Sequence, residues 1–268
     1  MNKVLFLLLQ VTFSIWAFAL PPVRRVEERI VNGGPTERGE IQYQLGLQGS
    51  DFNHPFCGAT LIGERIAITA AHCVVGRVPS SFKVIQGAHQ LSDATNIKRE
   101  VLKIVVHDYN DTTKSNDVAV LLLQKYQITT RDQSHPSSPI SLAPANYNVS
   151  GRDCVITGWG KLHSPGMELP DKLQKAFVTI MSNEGCASTL SSYPWDGRYM
   201  LCAGSEATDA CQGDSGGPLV CEGKYLTGIV SWGIGCATPG IPGAYTDVRK
   251  YRSWIDLHVE QLLKLDNN

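Results

Sequence analysis

Residues 209–218 read Asp209-Ala210-Cys211-Gln212-Gly213-Asp214-Ser215-Gly216-Gly217-Pro218. Glycine loses more backbone freedom on ordering than any other residue, so a stretch this rich in it suits neither helix nor strand. The stretch predicts a tight turn that presents one hydroxyl beside backbone N–H groups. A serine hydroxyl alone is a weak nucleophile. It needs a general base, an acid that orients the base, and donors for an oxyanion.

The base near neutral pH is most often histidine. Of seven histidines, His72 lies in Thr69-Ala70-Ala71-His72-Cys73, after an apolar run and beside a cysteine that can pin its backbone. The other six have polar or turn-like neighbours and read as solvated or locally hydrogen-bonded side chains. For the orienting acid, Asn116-Asp117 leads directly into the apolar run Val118–Leu123, which puts Asp117 at the mouth of a core strand. A turn or cap is the ordinary role of an aspartate there, so each residue taken singly leaves a bland reading open.

The chain is long enough, at 268 residues, for one large domain or two small ones. Its formal net charge of −1 offers no basic footprint for nucleic acid. Lys3 precedes an apolar run from Val4 to Phe18, and Ala17-Phe18-Ala19 is a small-x-small cleavage site, so residues 1–19 read as a secretory signal peptide. The run falls short of the ~20 residues that a membrane anchor needs. The expected product is secreted, extracellular and free of the membrane.

Residues 20–29 are polar, charged and proline-bearing, as an exposed propeptide would be, and end at Arg29 before Ile30-Val31-Asn32-Gly33-Gly34. Beyond them, short β-like runs alternate with turns: 43–47, 60–62, 67–69, 82–85, 101–106 and 118–123. After a Ser-, Pro- and Asn-rich connection ending near Gly151 come 154–157, 176–180, 219–221, 226–230 and 243–248. This spacing predicts barrels or sandwiches rather than βαβ units. Only residues 248–265 carry a helical pattern.

Eight cysteines in an exported chain predict four disulfides, with about 105 pairings open to sequence alone. No Cys-x-x-Cys or paired-histidine spacing supports a metal site, and no cofactor is expected. Asn110-Asp111-Thr112 and Asn148-Val149-Ser150 are N-glycosylation sequons at Asn110 and Asn148.

Together, Thr69–Cys73, Asn116–Leu121 and Gly213–Pro218, in the order His, Asp, Ser, resemble a trypsin-like serine protease of the chymotrypsin family, over essentially the whole stretch from Ile30 onward. The resemblance implies an all-β fold, two antiparallel six-stranded β-barrels with a short C-terminal α-helix, forming one catalytic domain over 30–268. It implies His72, Asp117 and Ser215 as catalytic residues, and the N–H groups of Gly213 and Ser215 as an oxyanion hole. Cleavage after Arg29 would free an α-amino group at Ile30 to pair with Asp214. The implied disulfides are Cys57–Cys73, Cys154–Cys221, Cys186–Cys202 and Cys211–Cys236.

By the same resemblance Asp209 floors the primary pocket and selects Arg or Lys, with Gly233 and Gly243 as walls and Ser231-Trp232-Gly233 pairing with the substrate backbone. Ala210 stands where many relatives carry serine, which predicts a stronger preference for Arg over Lys. Lys114 is read as lining the next subsite. Residues 88–96 hold one carboxylate, too few for structural calcium, so no metal is expected there. Implied partners are peptide or protein substrates with Arg or Lys at the cleavage site, an activating protease and protein protease inhibitors. A monomer with a neutral-to-alkaline optimum is expected. The rival class is a catalytically inactive homologue acting as a binding protein, but such chains usually lack one of the three residues retained here.

Overall fold

The computed structural model describes residues 33–126, 136–161, 169–204, 213–235, 238 and 240–265. Residues 1–32, which include the expected leader and propeptide with Arg29 and Ile30, and Asp209, Ala210, Cys211 and Cys236 lie outside the described residues.

After a two-residue strand β1 (Gly34–Pro35), the first half supplies β2 (Gln44–Gly49), β3 (Cys57–Gly63), β4 (Ile66–Thr69), β5 (Phe82–Gln86), β6 (Ile97–Val106) and β7 (Ala119–Leu123). These close into a barrel in the order β2-β3-β4-β7-β6-β5, every pairing antiparallel. A single turn of helix, α1 (Ala71–Val74), follows β4.

The second half begins with a short outlying strand, β8 (Ser141–Leu142). Then come β9 (Asp153–Gly158), β10 (Gln174–Ile180), helix α2 (Asn183–Thr189), β11 (Met200–Gly204), β12 (Pro218–Cys221), β13 (Tyr225–Trp232) and β14 (Gly243–Asp247). The order β10-β11-β14-β13-β12-β9 closes through a β9–β10 pairing, giving a second six-stranded antiparallel barrel. β8 pairs parallel to β13 outside that circuit, and β1 pairs with β10. Helix α3 (Arg252–Leu265) ends the described chain.

Side-chain alternation sets the register. In β10, Gln174, Ala176, Val178 and Ile180 are buried while Phe177 and Thr179 face outward, the period of two expected of a barrel strand. β7 departs from this, with all five residues buried. One face looks into the first barrel and the other lies under the C-terminal segment, where Val248, Tyr251, Ile255 and Leu262 join the same apolar cluster. A continuous apolar run is what a strand covered on both faces requires.

The three expected bridges within the described residues are present: Cys57–Cys73, Cys154–Cys221 and Cys186–Cys202. The fourth, Cys211–Cys236, falls outside them. One expectation is corrected. The helical pattern at 248–265 is real, but α1 and α2 are helical too. α1 is too short to show a period, and in α2 Gly185 hides a start marked by Ser182, whose Oγ accepts the Gly185 N–H at 3.1 Å.

Candidate active site

His72 sits in the α1 turn, and Cys73 beside it is bridged to Cys57 on β3, so the turn is fixed to the barrel wall. Its backbone N–H donates to Asp117 Oδ1 at 2.8 Å, and its Nδ1 lies 2.8 Å from Asp117 Oδ2. An ionised carboxylate only accepts, so Nδ1 carries the proton and Nε2 keeps a lone pair in the neutral ring. The His72 side chain is 28% exposed, whereas that of Asp117 is 1% exposed.

Asp117, delivered by the first barrel, is also held from the second, at its carboxylate and at its backbone carbonyl. Ser231 Oγ, near the end of β13, donates to Asp117 Oδ2 at 2.5 Å. Thr246 Oγ1, on β14, donates to the Asp117 carbonyl at 2.8 Å. A charge taken out of water is tolerated only with such partners. The Tyr109 ring lies 6.5 Å from the His72 ring. Its hydroxyl donates to Asp111 at 2.9 Å; burial foremost, then that carboxylate, pushes its pKa up.

Ser215 reaches the same place from the second barrel. Its carbonyl accepts the Gly58 N–H at 2.8 Å and lies 3.6 Å from Cys73 Sγ, which in turn is 3.7 Å from His72 Nε2. The Cys57–Cys73 bridge is thus the common neighbour of both residues. The turn around Ser215 needs its glycines. Gly213 has φ +104° and Gly216 φ +79°, and a Cβ on Gly216 would collide with Thr69 Oγ1 and Gly58 O. Gly216 N–H goes to Val230 O and Gly217 N–H to Asp214 O, at 2.8 and 2.9 Å. Among the described residues no backbone carbonyl takes the N–H of Gly213 or Ser215.

Asp214 is buried behind this turn, and its Oδ1 accepts the Gly160 N–H at 2.8 Å. Gly158 and Gly160, on either side of Trp159, leave the volume that the carboxyl group fills. Cys57, His72 and Cys73 place ligand-type atoms within 4.8 Å of one another, but both sulfurs belong to the disulfide.

The trypsin family model matches residues 30–255. The chain belongs to the trypsin family. It is 38% identical to trypsin alpha of Drosophila erecta over 234 residues, 86% of this chain and 88% of that protein. It is 37% identical to trypsin I-P1 of Gallus gallus over 256 residues, covering 92% and 96%. Among solved structures it resembles neuropsin, described as a serine protease expressed in the limbic system of mouse brain. The TM-score is 0.74 at 33% identity, over 85% of this chain and 99% of that one. These likenesses make the chain a trypsin-like serine endopeptidase.

Against the trypsin-family expectations, Ser231 and Trp232 close β13 and Gly243 opens β14, with a register shift between Val230 and Trp232. Ser231 makes a contact that the sequence did not reveal, the bond to Asp117. Lys114 adopts φ 55° and its ammonium is 2.7 Å from Asp111, so its charge is already met within its loop. Asn110 and Asn148 are both exposed. Sequence reading missed Gly158, Gly160 and Thr246. Two glycines bracketing a tryptophan at a strand end do signal a close backbone approach.

Proposed function

We propose that this trypsin-family chain is a secreted endopeptidase, made as a zymogen, that cleaves after Arg or Lys through an acyl-enzyme at Ser215. The observation that carries the reading is the double hold of Asp117 on His72, through Nδ1 and the backbone N–H, both at 2.8 Å. That hold leaves Nε2 as the basic edge.

Ser215 Oγ attacks the scissile carbonyl as its proton passes to His72 Nε2. The imidazolium is stabilised by Asp117 and returns the proton to the leaving amine. Water, deprotonated by His72 in turn, then releases the acyl group and restores the hydroxyl. The oxyanion accepts from the N–H groups of Gly213 and Ser215; losing such a donor costs roughly 2.7–4 kcal/mol of transition-state stabilisation. The strained turn that aims both groups supports this role.

Asp209 at the pocket floor, with Gly233 and Gly243 beside it, selects a cationic side chain, and Ala210 favours the forked guanidinium of Arg over the ammonium of Lys. Residues 1–19 act as the signal peptide and 20–29 as the propeptide, leaving a catalytic domain over 30–268. An activating protease cuts after Arg29, and the Ile30 ammonium pairs with Asp214. Asn110 and Asn148 take glycans, and protein inhibitors bind across the cleft of the monomer.

The test is to process the secreted chain at Arg29 and treat it with a fluorophosphonate probe and matched Arg, Lys and Phe peptide substrates. Labelling that vanishes in Ser215→Ala, with Arg cleaved faster than Lys and Phe untouched, is the expected result. A processed chain that neither labels nor cleaves is an inactive binding homologue.

A further inference from the structure

The segment leading into α3 reaches the His72–Asp117 pair through one side chain. Tyr251 closes the 3-10 turn Val248–Tyr251 and is 4% exposed. Its hydroxyl donates to Asn116 Oδ1 at 3.0 Å and accepts the Asn116 backbone N–H at 3.2 Å. Asn116 has φ 60°, a left-handed conformation that an L-residue adopts only when its surroundings impose it, although asparagine tolerates it better than most. Its Nδ2 donates to Asp108 O at 2.8 Å, so both ends of the side-chain amide are anchored.

The backbone consequence falls on the next residue. Val118 N–H donates to Asn116 O at 2.8 Å, closing a three-residue turn with Asp117 at its apex. The direction of the Asp117 carboxylate is therefore set by the torsions of Asn116 on one side and by Thr246 Oγ1 on the Asp117 carbonyl on the other. Tyr251 is itself seated firmly. The His107 ring meets it edge-on at 5.3 Å, and the Tyr199 ring lies at 6.1 Å. Burial above all pushes the phenol pKa up, so the hydroxyl stays protonated and able to donate.

We propose that Tyr251 is a positioning residue for the reaction: its hydroxyl holds Asn116 in the left-handed turn that aims Asp117 at His72. This rests on the His72, Asp117 and Ser215 roles given above. The bland alternative is that Tyr251 only packs the C-terminal segment onto β7, a task its ring performs without the hydroxyl.

The Tyr251→Phe enzyme, processed at Arg29, separates the two. Loss of the hydroxyl lowers kcat about 5- to 30-fold, the range of one or two hydrogen bonds of ~1 kcal/mol each, with KM within about twofold. A less well-aimed Asp117 stabilises the imidazolium less, so the acid limb of kcat/KM moves to lower pH. Asn116→Gly reaches the same torsions without the side-chain bond from Tyr251, keeping only the backbone N–H bond to its hydroxyl. Adding Tyr251→Phe to that background produces a clearly smaller loss than it does in the wild type. A Tyr251→Phe enzyme with native kcat and pH profile, altered only in melting temperature, overturns the proposal, as do fully additive losses in the double variant. If the wild-type chain proves inert, the roles in the preceding section fail, and the low-field NMR resonance of the His72 Nδ1 proton decides the matter. Its displacement in Tyr251→Phe supports the positioning role, and an unchanged resonance refutes it.

Discussion

The Asp214 carboxylate occupies the space that a side chain at Gly160 would need. Gly160 donates its N–H to Asp214 Oδ1 at 2.8 Å, and a Cβ on it would lie 2.5 Å from the carboxyl carbon. Gly158 meets the same carboxylate from the other side of Trp159. Gly158, at the end of β9, and Gly160, at its exit, thus make room for an acid 56 and 54 positions later, which fits between them.

Gly160→Ala is therefore expected to fold but to lose activity. Overpacking of this kind costs about 1–3 kcal/mol, which a domain with three described disulfides can absorb. The displaced Asp214 drags the Ser215 turn with it. Fluorophosphonate labelling should slow at least about 100-fold while circular dichroism stays native. A labelling rate equal to wild type would refute the link.

Ser231→Ala removes a donor from a buried carboxylate. A hydrogen bond to a charged group contributes about 1.5–3 kcal/mol, so kcat/KM should fall between roughly 10- and 100-fold. Ser231→Thr, which keeps the hydroxyl, should recover most of it. Steady-state kinetics on an Arg peptide checks both.

Arg99 is a guanidinium inside the first barrel, 2% exposed, at an inward position of β6. It donates to Glu64 O, Gln86 Oε1 and Gln124 O at 2.9, 2.8 and 3.0 Å. Burial, with Arg65 nearby, pulls its pKa down to about 10, so it is still cationic at pH 7. Arg99→Met leaves those acceptors without their donor, at about 1–3 kcal/mol for each unsatisfied group. The melting temperature should drop by several degrees or more, and Arg99→Lys, lacking the fork, should not restore it.

His107 makes the fold sensitive to acid. Its ring packs on Tyr251 and Trp254, and its Nδ1 accepts the Asp108 N–H at 2.7 Å. Burial lowers its pKa, Asp108 opposes this, and His258 on the far side of Trp254 adds to it. The folded state therefore binds the proton less readily than the unfolded chain. The stability is intact above the ordinary histidine pKa near 6.5 and declines as pH falls toward and through the folded value. His107→Phe should flatten the melting temperature between pH 7 and 5, and an unchanged slope would contradict this.

A chelator is expected to leave the melting temperature unmoved. In the loop where calcium-binding relatives place their ligands, Asp93 Oδ1 accepts from Thr95 and Asp171 accepts from Ser92 through both oxygens. These carboxylates are engaged within the protein and too few for a hard cation. Differential scanning fluorimetry with and without EDTA checks it.

Much of this was legible in the sequence, for physical reasons. Strands such as those at 82–85 and 176–180 announce themselves as short apolar, β-branched runs between turns, and His72 and Asp117 by the apolar runs beside them. β11 was missed because Met200-Leu201-Cys202-Ala203-Gly204 lacks β-branched residues and sits between β10 and β14, where neighbours rather than propensity make the strand. The glycines at 158 and 160 signal a close approach, but that Asp214 is what approaches, like the Tyr251–Asn116 pairing, was illegible for a different reason. Both rest on partners 54 to 135 residues away, which no local pattern carries.

The short strand β1 belongs to the first half by sequence but is fastened to the second barrel, Gly34 opposite Lys175 and Pro35 opposite Gln174. Thr36 adds a backbone bond to Leu173 O at 2.9 Å, and its own carbonyl lies 2.7 Å from His89 Nε2. A chain end created at residue 30 would thus be leashed four residues from a fixed mooring, with a reach of at most about 14 Å. Such a leash raises its local concentration around the second barrel to about the millimolar level or above, whatever the dilution of the protein. Capture of the new end would then be a first-order event, independent of enzyme concentration and of the protease that made the cut.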